Sequence, residues 1–244
     1  MNYRYPLFLL FLGLTLAFAQ QNCPDPEEPA RKIPAELASE GFEMSMAKGP
    51  FLLAKSGRYA YLRVENFSNI FLLWDETLVE MMDNLSSTEG LILDLRSSGG
   101  DDMDLAYKLA SCFIDDKQTG HPGFDFNGEH KRSHTLRPHP KMKAPFTAPV
   151  VVLTNRRTRN VAEIATLVLS QFDQVTLLGS PTAGSINPGP DGRQHSSATL
   201  VSFEDRGIPV DVMMHDEKAM FSEALGLLRG TFIPKAVDDE KLKR

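Results

Sequence analysis

Three turns of this sequence contain the residue types that could do chemistry. The first follows the apolar run 90–95 and contains Gly99 and Gly100. Adjacent glycines let backbone amides approach a bound group closely, so this turn could form half of an oxyanion hole, the set of donors that holds a developing negative charge. Taken alone, an ordinary glycine turn is the simpler interpretation.

The second turn follows an apolar run at 150–154 and leads into a helical pattern that begins at Val161. Unpaired amides at a helix N-terminus favour negative charge, and many acyl-transfer enzymes carry their nucleophile there. Asn160 lies at this point. A helix cap would explain Asn160 and Glu163 without any catalytic role. In such a cap the asparagine oxygen accepts a hydrogen bond from a backbone amide of the first helical turn, and the glutamate side chain accepts one from the Asn160 amide.

The third turn ends the segment 177–185 and consists of small residues, which by themselves are uninformative.

Strands and helices alternate around the three turns. Strands are predicted at 59–64, 90–95, 150–154, 175–178, 199–203 and 210–213, and helices at 72–85, 103–113, 161–172 and 218–228. This alternation indicates βαβ units and an α/β fold with a mostly parallel, buried sheet.

Composition and the N-terminus limit the possible functions. The net charge is −6 and the basic residues are spread along the chain, so no nucleic-acid surface is predicted. Arg4, an apolar run at 7–18 that is too short to cross a bilayer, and the small-x-small pattern at 17–19 predict a signal peptide at 1–19. We therefore expect export to the periplasm or the extracellular space and no transmembrane domain; an uncleaved anchor is the alternative.

The rest of the chain is long enough for one substantial core. We expect a proline-rich tether at 20–34, one domain at 35–235 and a charged tail at 236–244. The polar stretch 115–148 is expected to be a loop, and neither a metal nor a cofactor is predicted although it contains four histidines: His121, His130, His134 and His139. Cys112 lies in a helical pattern and is expected to be buried and inert.

In order and spacing, the three turns resemble those of the tail-specific, or C-terminal-processing, serine peptidases. This group, serine peptidase family 41, also includes the tricorn core and the interphotoreceptor retinoid-binding repeats. The similarity includes the Leu-Asp-Leu-Arg-x-x-Gly-Gly turn at 93–100, segments 149–163 and 178–185, and a shortened Gly-Ile-x-Pro-Asp element at 207–211. It implies a crotonase-like core that cleaves or binds extended peptides, with a peptide or a protein C-terminal segment as partner.

The sequence departs from the family at the reacting groups. Asn160 takes the position of the nucleophilic serine, and an amide has no hydroxyl to deprotonate. In the serine–lysine branch, the lysine base falls at Ser185, whereas the Thr-Ala-Gly-Ser form at 182–185 resembles the other branch, which recruits a histidine. The backbone amides of Gly99, Gly100 and Val161 would survive these changes and are the expected oxyanion or peptide-binding donors. No PDZ-like module is recognisable between the tether and the first predicted strand.

Three functions stay open from the sequence. The favoured one is a catalytically impaired pseudopeptidase that binds peptides, because loss of a serine nucleophile costs about a millionfold in subtilisin-type enzymes. The second is an active serine-type peptidase that uses another hydroxyl, with a loop histidine as base; the candidates are Thr158, Ser180, Thr182 and Ser185. The third, an apolar-ligand carrier, rests on fold analogy alone. The oligomeric state is not predicted.

Overall fold

The computed structural model describes residues 31–68, 73–115, 136–185 and 206–230. The described residues from Lys32 onward belong to one compact unit. Its strands are β1 (Glu43–Lys48), β2 (Phe51–Ser56), β3 (Tyr59–Val64), β4 (Asn66–Phe67), β5 (Gly90–Asp94), β6 (Gly99–Gly100), β7 (Val150–Thr154), β8 (Val175–Gly179) and β9 (Val212–Met213). Its helices are α1 (Ala35–Ser39), α2 (Trp74–Asp83), α3 (Met103–Ser111), α4 (Val161–Leu169) and α5 (Ala219–Arg229).

Several sequence predictions lie outside the described residues. These are the signal peptide, the tether up to residue 30, the strand at 199–203, the charged tail, and three of the loop histidines, His121, His130 and His134. No helix among the described residues has the length and apolar character needed to cross a bilayer. Cys112 is buried without a disulfide, as expected, and burial raises the pKa of its thiol well above the ordinary range.

The main sheet has seven strands in the order β1-β2-β3-β5-β7-β8-β9. The pairs from β3 to β9 are parallel, and β1 and β2 add an antiparallel hairpin at one edge. The predicted mostly parallel sheet is therefore confirmed. The hairpin was not predicted from the sequence, and five of the six β1 residues are exposed, so this edge strand buries little apolar surface.

Helices cover both faces of the sheet, and this explains why β5 and β7 are buried at every residue. One core lies between the sheet and α2, α3 and α4, and the other between the sheet and α1 and α5. Leu91 and Leu93 belong to the first core, whereas Ile92 belongs to the second, as the two-residue period of a strand requires. Because parallel strands end at the same edge, the turns after β5, β7 and β8 all lie at the carboxyl edge of the sheet.

Candidate active site at the carboxyl edge of the sheet

The turn after β5 starts from a buried ion pair. The Arg96 guanidinium donates to both carboxylate oxygens of Asp94, from Nε at 2.9 Å and from Nη2 at 2.7 Å. Tyr61 donates a third hydrogen bond at 2.7 Å. Burial and the neighbouring negative charge raise the pKa of Tyr61 well above its ordinary value. These contacts fix the start of the turn that contains Gly99 and Gly100.

The turn after β7 is bonded to the first turn and to the start of α5. Asn155 accepts from the amide of Ser97 at 3.1 Å and donates to Glu217 at 3.0 Å. Arg96 also lies 3.9 Å from Glu217. Glu217 therefore contacts both turns, although it lies 62 residues beyond Asn155 in the chain.

Asn160 precedes α4 in a backbone conformation that asparagine seldom adopts. Its φ is 51° and its ψ is −122°, so it lies outside the left-handed helical region, where ψ is near +47°. Among the described residues, only Ser97 and Asn160 have a positive φ without being glycine. Both belong to the turns at this edge, and such strain is concentrated at functional sites.

Glu163 connects the Asn160 turn to the third turn. This carboxylate is fully buried and accepts five hydrogen bonds. One oxygen accepts from the amides of Asn160 at 3.0 Å and Ser185 at 2.9 Å, and from the Ser185 hydroxyl at 3.1 Å. The other accepts from the Thr182 hydroxyl and the Gly184 amide, both at 2.6 Å. Glu163 was expected to reach back to the Asn160 amide, but its contacts with the third turn are new.

Direct backbone hydrogen bonds hold the three turns against one another. The Arg159 amide donates to the Ser98 carbonyl at 3.0 Å, and the Ala183 amide donates to the Thr158 carbonyl at 2.9 Å. The structure thus brings together the residues that the sequence singled out. We call this set the strand-end site: Gly99, Gly100, Asn160, Val161 and Ser185.

Gly100 has a packing reason to be glycine. Its φ is +137°, and a Cβ atom there would lie 2.3 Å from the carbonyl oxygen of Phe67. The short strand β6 pairs with β4 at this point. Close backbone approach therefore requires the glycine, whatever the turn binds.

The sequence pattern that defines peptidase family S41 matches residues 58–187, which is more than half of the chain's 244 residues. The chain belongs to peptidase family S41. The family expectation drawn from the three turns is confirmed, and the match ends two residues beyond Ser185, the last residue of the strand-end site.

Solved structures agree with a crotonase-like S41 fold. A candidate peptidase from Parabacteroides merdae ATCC 43184 is 18% identical with a TM-score of 0.57, over 81% of this chain and 70% of that one. The photosystem II D1 C-terminal processing protease is 18% identical with a TM-score of 0.51, over 70% of this chain and 50% of that one. Mature CPAF is 15% identical with a TM-score of 0.51, over 78% of this chain and 57% of that one. At these identities the likeness concerns the fold alone.

Two of the alternative hydroxyls in this S41 domain have structural partners. Thr158 is buried, donates to the Leu95 carbonyl at 2.8 Å and accepts from the Asn155 amide at 3.1 Å. Thr182 is buried, donates to Glu163 and accepts from the Ile208 amide at 2.8 Å. Both hydroxyls hold turns together.

Ser180 is the candidate hydroxyl that lies next to a histidine. Its Oγ lies 3.1 Å from Nδ1 of His215, at an exposed position after β8 and β9. His215 is outside the polar loop from which a base was expected, and no motif in the sequence pointed to it.

The loop histidine that the structure describes lies elsewhere. His139 is buried, its Nε2 is 2.9 Å from Asp75, and its Nδ1 accepts from the Lys141 amide. Its own amide bonds the Ser111 carbonyl at the end of α3, whereas the strand-end site adjoins the start of α3, about 13 Å away at 1.5 Å per residue. His139 therefore lies away from the strand-end site, and a base from one of the other loop histidines stays a prediction, since these lie outside the described residues.

Two cavities of about 350 and 270 Å³ share Ser111 and His139 in their walls. Apolar and charged side chains line both, and neither includes a residue of the strand-end site. The apolar-ligand carrier stays a prediction that rests on the family resemblance.

Proposed function

We propose that this S41 domain binds peptides at the strand-end site and is catalytically impaired. The observation that carries the proposal is Asn160 in the strained turn before α4, hydrogen-bonded through Glu163 to Ser185. A strand-turn-helix junction of this kind presents a nucleophile in other hydrolases. The side chain here is a carboxamide, whose nitrogen lone pair is delocalised, so it cannot attack a carbonyl group.

The binding part of the proposal rests on backbone donors. The Val161 amide, at the first position of α4, donates to no group among the described residues. Such an amide can hold a peptide carbonyl or a carboxylate, together with the amides of Gly99 and Gly100. The partner in this proposal is a peptide or a protein C-terminal segment.

A covalent probe and a binding measurement test the two halves separately. Wild-type protein should remain unlabelled by a fluorophosphonate probe and should leave unfolded peptides uncut, because Asn160 has no hydroxyl and the hydroxyls of Thr158, Thr182 and Ser185 are bonded within the fold. Immobilised protein should nevertheless retain unfolded peptides. Cleavage above a heat-denatured control would contradict impairment, and a complete lack of retention would contradict binding.

A second candidate function is hydrolysis by Ser180, favoured by its contact with His215. A histidine at 3.1 Å is within reach to act as a base. However, no carboxylate among the described residues hydrogen-bonds the other ring nitrogen of His215 to orient it. Labelling of the wild type that maps to Ser180 and disappears in Ser180→Ala would establish this function instead.

Export is also part of the proposal and rests on the N-terminal pattern at 1–19. The chain recovered from an exporting host should begin at or near Gln20, as intact mass would show. A full-length chain in the membrane fraction would support the uncleaved anchor.

A further inference from the structure

Three exposed arginines lie in the turn before α4, and they differ in their partners. Arg157 lies 3.5 Å from Glu217. No carboxylate among the described residues lies within 4.0 Å of Arg156 or Arg159. The turn therefore exposes guanidinium groups that this part of the protein does not neutralise.

Arg159 is the one that adjoins the strand-end site. It precedes Asn160, and its Cγ and Nε each lie 3.4 Å from the point where a Cβ atom on Gly99 would be. The Arg159 side chain thus packs over Gly99, so its positive charge lies beside the Gly99–Gly100 turn, and its backbone lies two residues before Val161, the start of α4.

No negatively charged group among the described residues offsets the charge of Arg159 near the start of α4. A helix N-terminus carries partial positive charge, so a cation beside it is destabilising by a few tenths of a kcal/mol or more. Glu163, the acid in the first turn of α4, is buried and accepts five hydrogen bonds from neutral groups. Asp102, near Gly100, caps α3 instead. An unneutralised cation at such a point is a local conflict of the kind found at functional sites.

We propose that Arg159 binds a carboxylate of the peptide at the strand-end site and so determines which peptides are preferred. This inference rests on the proposed function. A guanidinium can bind a carboxylate through two parallel hydrogen bonds, and its weak hydration lowers the cost of that contact. The carboxylate is either the C-terminus of the peptide or an Asp or Glu side chain.

A randomised heptapeptide library, made once with C-terminal acids and once with C-terminal amides, distinguishes these two sources. Full-chain protein is immobilised, and retained peptides are identified by mass spectrometry. For the wild type we expect about tenfold preference for the acid library, or about tenfold enrichment of Asp and Glu within the amide library. Arg159→Gln should reduce that preference to about twofold or less while still retaining neutral peptides.

Arg156→Gln is the matched control, because it removes an exposed, unneutralised arginine from the same turn. It should keep the preference of the wild type. Retention without a carboxylate preference, or a preference that survives Arg159→Gln, would overturn the inference and leave peptide binding intact. If the wild type retains neither library, the proposed function fails and the inference fails with it.

Discussion

Two buried carboxylates hold the turns at the carboxyl edge of the sheet, and different kinds of donor stabilise them. Asp94 is bonded to a cation, Arg96, and to the Tyr61 hydroxyl. Glu163 accepts only neutral donors among the described residues: the amides of Asn160, Gly184 and Ser185 and the hydroxyls of Thr182 and Ser185. The first arrangement therefore includes a cation, whereas the second includes none within the part of the chain that the structure describes.

Asp94 and Arg96 thus form a scaffold that holds the first turn in place, whereas Glu163 belongs to the strand-end site itself. The family resemblance puts the lysine of the serine–lysine branch at Ser185, whose hydroxyl now lies 3.1 Å from Glu163. Glu163 and the backbone hydrogen bonds between the turns hold the strand-end site in place, and none of these contacts requires a serine at 160 or a lysine at 185.

The largest effect is expected at Asp94. Asp94→Asn leaves the buried Arg96 guanidinium with only the half-exposed Glu217, 3.9 Å away, as a counter-charge, so the free energy of unfolding should fall by about 3–5 kcal/mol. Urea denaturation would measure the change. Asp173→Asn removes an exposed carboxylate and should stay within about 0.5 kcal/mol of the wild type. A loss at Asp94 no larger than that of the control would show that the Asp94–Arg96 ion pair does not stabilise the fold.

Glu163→Gln should cost about 3 kcal/mol, since the new amide group cannot accept from every donor and leaves buried N–H groups unpaired. The same variant should lose peptide retention, because the 182–185 segment is no longer tied to Asn160. Glu223→Gln, in the exposed part of α5, serves as the control for both measurements. Normal peptide retention by Glu163→Gln would mean that this carboxylate does not maintain the site.

Tyr61→Phe should cost about 2 kcal/mol near neutral pH, as a buried hydrogen bond to a charged group is lost. Folding raises the pKa of Tyr61, so the folded chain binds this proton more tightly than the unfolded chain. The resulting stability is present below the ordinary pKa near 10 and is lost as pH rises through the folded value. Unfolding curves at rising alkaline pH should therefore decline less steeply for Tyr61→Phe. Parallel declines would contradict the assignment.

Asn160→Gly tests the strain at the strand-end site and has the smallest expected effect. Glycine adopts a positive φ without a Cβ clash, so the variant loses the backbone strain. Glycine also loses more conformational entropy on folding than asparagine, which offsets part of this gain. The net gain in the free energy of unfolding should be about 1 kcal/mol. At Asn84, where φ is −68°, the same change to glycine should lower stability. Equal losses at both positions would show that Asn160 is not strained.

The sequence predicted the parts of the fold that depend on local pattern. Strands β3 and β7 have the predicted limits, because apolar runs between turns specify buried parallel strands. The meeting of the three turns was also predictable, since it follows from parallel topology.

Contacts between distant segments were not predictable. Glu163 was recognisable as a cap three residues after Asn160, but nothing local indicated its contacts with Thr182 and Gly184. The Ser180–His215 contact depends on the register of β8 against β9, and Glu217 bonds Asn155 across 62 residues. Such pairs are specified by the assembled sheet, which a one-dimensional pattern does not encode.

If only the side chains at 160 and 185 separate this site from a serine–lysine site, restoring both residues should restore a reactive serine. Fluorophosphonate labelling of wild type, Asn160→Ser, Ser185→Lys and the double variant measures this. We expect no labelling of the wild type or Ser185→Lys, at most weak labelling of Asn160→Ser, and clearly more labelling of the double variant. That labelling should increase with pH, because a lysine beside Glu163 must lose its proton to act as a base. Labelling of the wild type, or a double variant no more reactive than Asn160→Ser, would contradict the claim.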